Sequence, residues 1–255
     1  MDNIIACRLV SYGKFADRAW THLGDLGVRH VEIDVPPDDR ADEIQKKLED
    51  HGLIASSMTV KLDIQDAKAV DAMRSKFATG ARLGTSILFT SVRRGDVEES
   101  IIWERLRRLG ACAGEHEITV VLETHPDLLT NAQVGLRTMQ QVDHPRIRVN
   151  FDTANIHYYN HDVDTVDQLS QIIDFVAAVH LKDSGGGYRR WDFPTLGQGI
   201  VDFPQVFQVL KQRGFLGPYT VELEGNPQVD ATDEASVLKY VSDSFAYLRT
   251  IGVMA

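Results

Sequence analysis

Four side chains that can bind a metal ion or move a proton stand near the ends of successive apolar runs. They are Glu123 in "TVVLETH", Asp152 in "IRVNFDT", His180 in "FVAAVHLKD" and Glu222 in "YTVELEG". The steps between them are 29, 28 and 42 residues. The first two each match one strand–helix unit, and the third adds the long loop "SGGGYRRWDFPTLGQG". A carboxylate at the end of an apolar run, as at Asp152, must be hydrated, paired or bound to a cation, because isolated burial is costly. Three converging carboxylates without a counter-charge would repel one another and rise in pKa. A divalent cation removes that problem, and three oxygen ligands with an imidazole suit Mn²⁺, Mg²⁺, Co²⁺ or Zn²⁺ without selecting among them. Taken singly, each residue reads more readily as a loop edge, a helix cap or a structural histidine than as a ligand. Their joint placement on consecutive strands is what points to a site.

The elements that must position them form a repeat. Short β-branched runs alternate with segments of helical period along the chain. Four further strands, "IIACRLVS", "HVEIDV", "IASSMTV" and "SILFTSV", precede the four above. Helices are expected over roughly 16–26, 41–51, 66–82, 96–115, 131–142, 163–173, 202–213 and 231–251. Gly27, Gly52, Gly84 and Gly214 each follow a helical segment and precede a strand, where a residue tolerant of left-handed backbone can close the helix. Asp202, with Pro204 and Gln205, reads as a capped helix start, and Thr130–Asn131 as another. Such alternation builds a parallel sheet with right-handed crossovers. Eight repeats in 255 residues match a closed (β/α)₈ barrel, for which ~250 residues is typical. An open doubly wound sheet would carry a Gly-rich phosphate turn after its first strand, and "RLVSYGKF" has no G-x-G-x-x-G. With no linker or composition shift, one α/β TIM-barrel domain over 1–255 is expected. Its functional groups would collect at the C-terminal ends of the strands.

Composition excludes several classes. The formal net charge of −10 disfavours nucleic acid as a partner unless one face is locally basic. The densest basic spots are "SVRRG" and "GYRRW", each able to hold a phosphate or carboxylate or simply to be solvated. No apolar run approaches the ~18 residues of a membrane span, and the start "MDNIIACRLVSYGK" shows no secretory signal. Cys7 and Cys112 make no disulfide framework. A cytoplasmic protein with reduced thiols is expected.

At "VVLETH", "NFDTAN", "HLKDS", "LGQGIVDFPQVFQVLKQRGF" and "GPYTVELEG" the chain resembles the xylose isomerase-like TIM-barrel superfamily. That group comprises sugar and sugar-phosphate isomerases and epimerases and includes the apurinic endonuclease four family. The resemblance covers most of the chain and is strongest over about 118–225. It implies that Glu123, Asp152, His180 and Glu222 form a four-ligand site for one divalent metal ion, with Mn²⁺ the expected cofactor. Strand alternation places Glu222 and Glu224 on the same side; the resemblance selects Glu222, five residues after Gly217. It also implies that Glu123 and Glu222 act as acid and base on opposite faces of a ketose. A cation chelating the ketone and neighbouring hydroxyl acidifies the adjacent C–H and stabilises an enediolate. One glutamate removes the proton and the other returns it. Return to the adjacent carbon makes an isomerase, and loss of a β-hydroxyl makes a dehydratase of the inosose type.

Further residues are expected near the mouth. Lys182, in "HLKDS" with Asp183, is a candidate for contact with substrate oxygens or a lysine–aspartate pair at a loop entrance. Asn155 stands where several epimerases of the group have a histidine, which weakens a ketose 3-epimerase assignment. His125, Arg190 and Trp191 are further substrate-binding candidates, with Tyr188 and Trp191 placed to stack on a sugar or to anchor the loop. His157 reads as a loop histidine and Glu32 as an ion-pair or substrate residue. Tyr12, Lys61, Arg93 and Arg94 are the other distinctive residues of the first half. The Gly197–Gly199 turn is expected to hold the loop over the site.

The partner is thus expected to be a small sugar or polyol-derived molecule, phosphorylated or not, with no nucleic acid or membrane partner and with a homo-oligomer allowed. An endonuclease reading is disfavoured. Its D-x-H pair is replaced by "WDF" at 191–193, and its histidine three residues after the sixth-strand aspartate is Asn155. The chain is also acidic. A non-catalytic sugar-binding barrel is the remaining alternative, for which paired glutamates would be surplus.

Overall fold

In a computed structural model, which describes residues 2–254, eight parallel strands close into a barrel in sequence order. They are β1 (Ile5–Arg8), β2 (His30–Asp34), β3 (Ile54–Thr59), β4 (Ile87–Thr90), β5 (Thr119–Glu123), β6 (Ile147–Asp152), β7 (Val176–Leu181) and β8 (Tyr219–Val221). Closure comes from β1, which pairs with β2 on one side and β8 on the other. The surrounding helices are α1 (Ala16–Asp25), α2 (Ala41–Asp50), α3 (Ala69–Arg82), α4 (Glu99–Gly114), α5 (Ala132–Val142), α6 (Asn155–Tyr159), α7 (Thr165–Ile172), α8 (Phe203–Gln212) and α9 (Glu234–Thr250). Eight of these are the expected helices, and the fold is a (β/α)₈ barrel.

The punctuation acts as its chemistry requires. Gly27, Gly52, Gly84 and Gly214 all have positive φ, between 63° and 78°. Asp202 caps α8 by accepting from Gln205 N–H, and Asn131 rather than Thr130 caps α5 by accepting from Val134 N–H. Two expectations shift. The first strand stops at Arg8 instead of Ser11 and continues as a 3₁₀ segment, Leu9–Phe15. The short helix α6 was not foreseen. Asp152 starts it, its Oδ1 accepting from Ala154 and Asn155 N–H at 2.9 and 2.8 Å. Among the described residues no helix is long and apolar enough to cross a membrane.

Because side chains alternate along a strand, each strand feeds two cores. Leu88, Val120, Leu122, Phe151, Val179 and Leu181 pack outward with helical residues such as Phe77, Leu106 and Met139. Phe89, Val121 and Ala178 form a separate small cluster, with the Phe89 ring 4.4 Å from that of His180. Val121 and Ala178 have the parity of Glu123 and His180 on their own strands and so share the barrel interior with them. Neighbouring strands are staggered as closure demands. Glu123 is level with Asn150, Asp152 with His180, and His180 with Thr220. Glu222 lies just beyond β8, yet its N–H still bonds to Leu181 C=O at 3.1 Å.

Candidate metal centre

The stagger brings Glu123, Asp152, His180 and Glu222 together. One potential ligand atom from each lies within 4.8 Å of all the others, and all four residues are buried. Donors on opposite sides of an ion bound at about 2.0–2.2 Å would be at most ~4.4 Å apart, so small side-chain adjustments suffice. One donor is already short of a partner. Asp152 Oδ1 is occupied by the two backbone N–H groups of α6, while the fully buried Oδ2 has no aligned hydrogen-bond donor. The Lys182 ammonium is 3.0 Å from that oxygen but off the hydrogen-bonding direction. The donor set therefore fits a divalent cation.

Lys182 supplies part of the counter-charge that the sequence reasoning assigned to a metal alone. Besides Asp152, its Nζ contacts Glu222 Oε2 at 3.0 Å and Glu224 Oε1 at 2.9 Å, and it lies over the Phe193 ring. Glu222 is held from three sides: Arg8 Nη1 on Oε1, and His180 Nδ1 at 3.1 Å with Lys182 on Oε2. The other nitrogen of His180 is 3.3 Å from Glu32 Oε1. Glu32 accepts from Ser57 Oγ at 2.7 Å and lies 3.4 Å from Arg8 Nε. Glu123 accepts from Ser91 Oγ and, at 3.2 Å, from Asn155 Nδ2. Five carboxylates (Glu32, Glu123, Asp152, Glu222, Glu224) thus meet three cationic side chains (Arg8, His180, Lys182), leaving the cluster acidic.

These contacts separate the protonation states. Burial pushes Asp152 up to about 7, against the pull of Lys182. Burial and then the Glu222 charge raise Glu123. At Glu222 burial acts the same way, but Lys182, His180 and Arg8 outweigh it and hold the carboxyl well below the usual range. Burial disfavours an imidazolium at His180, yet Glu32 and Glu222 raise it to about 10. Without a metal, His180 is doubly protonated between its two carboxylates.

The other sequence candidates divide. Lys182 and Asn155 join the cluster. His125 is at the rim, its Nδ1–H donating to Pro126 C=O and its Nε2 accepting from Arg93 Nη2 at 3.1 Å, with Tyr159 edge-on. Trp191 is 56% exposed and packs edge-on against Tyr158 and Phe193. Arg190 is exposed and pairs with Asp192 at 2.7 Å, and Tyr188 stacks on His161. His157 bonds to Thr165 Oγ1 at 2.6 Å, Arg94 backbone N–H donates to Asp127, and Tyr12 pairs with His22. Lys61 is an exposed residue. Asp183 anchors the long loop by accepting from the N–H groups of Ser184, Gly197, Gly199 and Val201. A Cβ at Gly199 would collide with Asp183 and with Ser184 C=O, so the turn has the structural role expected of it.

Three contacts of the cluster were missed, Arg8, Ser57 and Ser91. Arg8 had a signal, being a charged residue inside an apolar run of the parity that faces the barrel interior. Ser91 had none, since a serine after a strand is ordinary.

A closed (β/α)₈ barrel with a buried Glu–Asp–His–Glu cluster at the C-terminal mouth defines the class. The chain belongs to the xylose isomerase-like TIM barrel family, whose model matches residues 21–241. It is 28% identical over 127 residues to L-ribulose-5-phosphate 3-epimerase UlaE of Escherichia coli K12, an alignment spanning 49% of this chain and 43% of that protein. The chain therefore matches less than half the length of this relative. Similar solved structures include a sugar phosphate isomerase/epimerase from Parabacteroides distasonis (15% identity, 99% of this chain and 100% of that one, TM-score 0.80). Another is D-allulose 3-epimerase from Methylomonas sp. in complex with D-allulose (17% identity, 98% of each chain, TM-score 0.76). At such identities these structures bear on the fold alone.

Proposed function

We propose that this chain is a divalent-metal-dependent isomerase or epimerase of a ketose or related polyhydroxy compound, acting through an enediolate. The observation that carries the reading is the convergence of four buried donors within 4.8 Å, two of them glutamates whose surroundings push their pKa values in opposite directions. The partial sequence similarity to L-ribulose-5-phosphate 3-epimerase supports it.

Glu123, Asp152, His180 and Glu222 would hold the ion, with Mn²⁺ the expected one. A divalent cation there supplies Lewis acidity that polarises a substrate carbonyl and acidifies the neighbouring C–H. The chain's own residues do the proton work. Glu222, kept ionised by the Lys182 ammonium and the Arg8 guanidinium, is the base that removes the proton. Glu123, raised in pKa and held by Ser91 and Asn155, returns one. Groups whose environments drive their pKa values apart take the two roles in this way. The Lys182 ammonium stabilises negative charge developing on substrate oxygen. His125 and Trp191, with Arg190 further out, are proposed to orient the distal part of the sugar at the rim. The whole barrel is taken to act as one domain.

The test is deuterium exchange. With Mn²⁺ and a ketose panel in D₂O, proton NMR should show loss of signal at a carbon next to the carbonyl. Glu222→Gln and Glu123→Gln should each abolish it. Ketose binding without exchange for any sugar would instead identify a binding protein, and product with a lost β-hydroxyl a dehydratase.

A further inference from the structure

A cavity of about 320 Å³ opens beside the cluster, at the C-terminal ends of β1, β2 and β3. Its inner end is made by Arg8, Glu32 and Thr59, the first two of which also belong to the metal centre. Moving outward, the walls are Leu9, Val10, Val35, Pro36, Pro37 and Ile44. Val10 is 53% exposed, an apolar side chain left open at the rim of a polar site. The space would hold on the order of ten water-sized groups at ~30 Å³ each.

A bare polyol chain placed there would leave hydroxyls without partners against aliphatic walls, which is costly. A phosphate fares worse. Of the cations lining the cavity, Arg8 is engaged by Glu222 and Glu32 and stacked over Phe89. Arg40 is bound in two places to Glu43, at 3.0 and 2.7 Å. Asp34 adds a negative charge to the same wall. Arg93, by contrast, stands beside His125, outside this cavity.

We propose that this cavity is a specificity subsite for an apolar substituent of the substrate, a short alkyl or deoxy terminus carried by a polyol whose hydroxyls lie at the metal centre. The inference rests on the polyol-binding reading of that centre and deepens it. Hydrophobic, water-excluding walls continuous with a polar, charged anchor are the usual construction of a small-molecule site. The subsite selects against phosphorylated sugars in this orientation.

The experiment is calorimetric titration of the Mn²⁺-loaded protein with xylitol, its terminal mono-O-methyl, -propyl and -butyl ethers, and xylitol 5-phosphate. Binding should tighten about threefold to fourfold for each added methylene, while the phosphate binds no better than xylitol. Val10→Asp, a change at an exposed position, should flatten the ether series without altering Mn²⁺ affinity, and Val10→Thr should flatten it in part. A flat series in the wild type, tightest binding by the phosphate, or no binding of any member to a protein that does bind Mn²⁺ would overturn the proposal. Deuterium exchange with unsubstituted ketoses is read separately, so a failed subsite and a failed enediolate mechanism give different results.

Discussion

Replacing Lys182 with methionine tests the electrostatics of the centre without touching a proposed ligand. The ammonium is buried, and its two contacts at 3.0 Å with Asp152 and Glu222 each represent about 5–6 kcal/mol of attraction at an effective dielectric of ~20. Desolvation offsets most of that sum. Removing one partner of a buried pair nevertheless costs about 3–5 kcal/mol, because the other charge is left behind. Lys182→Met, which preserves packing against Phe193, should therefore destabilise the metal-free protein by that amount near pH 8. In a chain of this size the melting temperature should fall by about 10 °C. Two conditions relieve the defect. Lowering the pH lets Asp152 stay protonated, so the deficit shrinks toward pH 5. Saturating Mn²⁺ restores positive charge and adds about 2.7 kcal/mol at a hundred times its Kd. Urea unfolding followed by circular dichroism, in EDTA and in Mn²⁺ at both pH values, measures all of this. A variant within 1 kcal/mol of wild type at pH 8 in EDTA would refute the view that Lys182 is the internal counter-charge of the cluster.

Other outcomes follow from the same contacts. His180 is raised from 6.5 to about 10, so the stability it lends the metal-free protein is complete below 6.5 and is lost as pH climbs toward 10. Melting temperatures in EDTA should fall across that window, while those of the Mn²⁺-loaded protein should not. Metal binding at pH 7 should release the His180 proton, and calorimetry in buffers of different ionisation enthalpy should count at least one. Glu32→Gln weakens the carboxylate that orients His180 and should lower Mn²⁺ affinity about 10–100-fold, read by calorimetry. Trp191→Ala should raise KM more than it lowers kcat in the exchange assay, since a rim aromatic contributes to substrate and transition state alike.

Much of this arrangement is legible in the sequence for identifiable reasons. A barrel strand is buried on both faces, so its run is apolar almost throughout, and any charged residue interrupting it is conspicuous. Asp152, His180 and Glu222 are visible on that ground, and glycines after helices mark the repeat that spaces them. What strand patterns conceal is how neighbouring strands are staggered. The two-residue offset that sets Glu123 level with Asn150 instead of Asp152 is a property of closure, not of any one segment. Lys182 shows the consequence. It follows His180 by two residues and shares its parity, yet whether its ammonium reaches substrate or the acidic cluster depends on Glu222 and Glu224 arriving from β8. Arg8 was obscured when the first strand was drawn through to Ser11, which made its position look like mid-strand instead of the mouth. The helix α6 was hidden because one oxygen of Asp152 starts it, a use of that side chain which its expected role as a ligand did not suggest.

Diffraction from a crystal grown with excess Mn²⁺, collected at the manganese absorption edge, bears most directly on the centre. A single anomalous peak bonded to Glu123, Asp152, His180 and Glu222, absent from crystals of Asp152→Asn grown the same way, is the expected result. A well-ordered wild-type crystal with no peak there, and Lys182 still seated against Asp152 and Glu222, would contradict it.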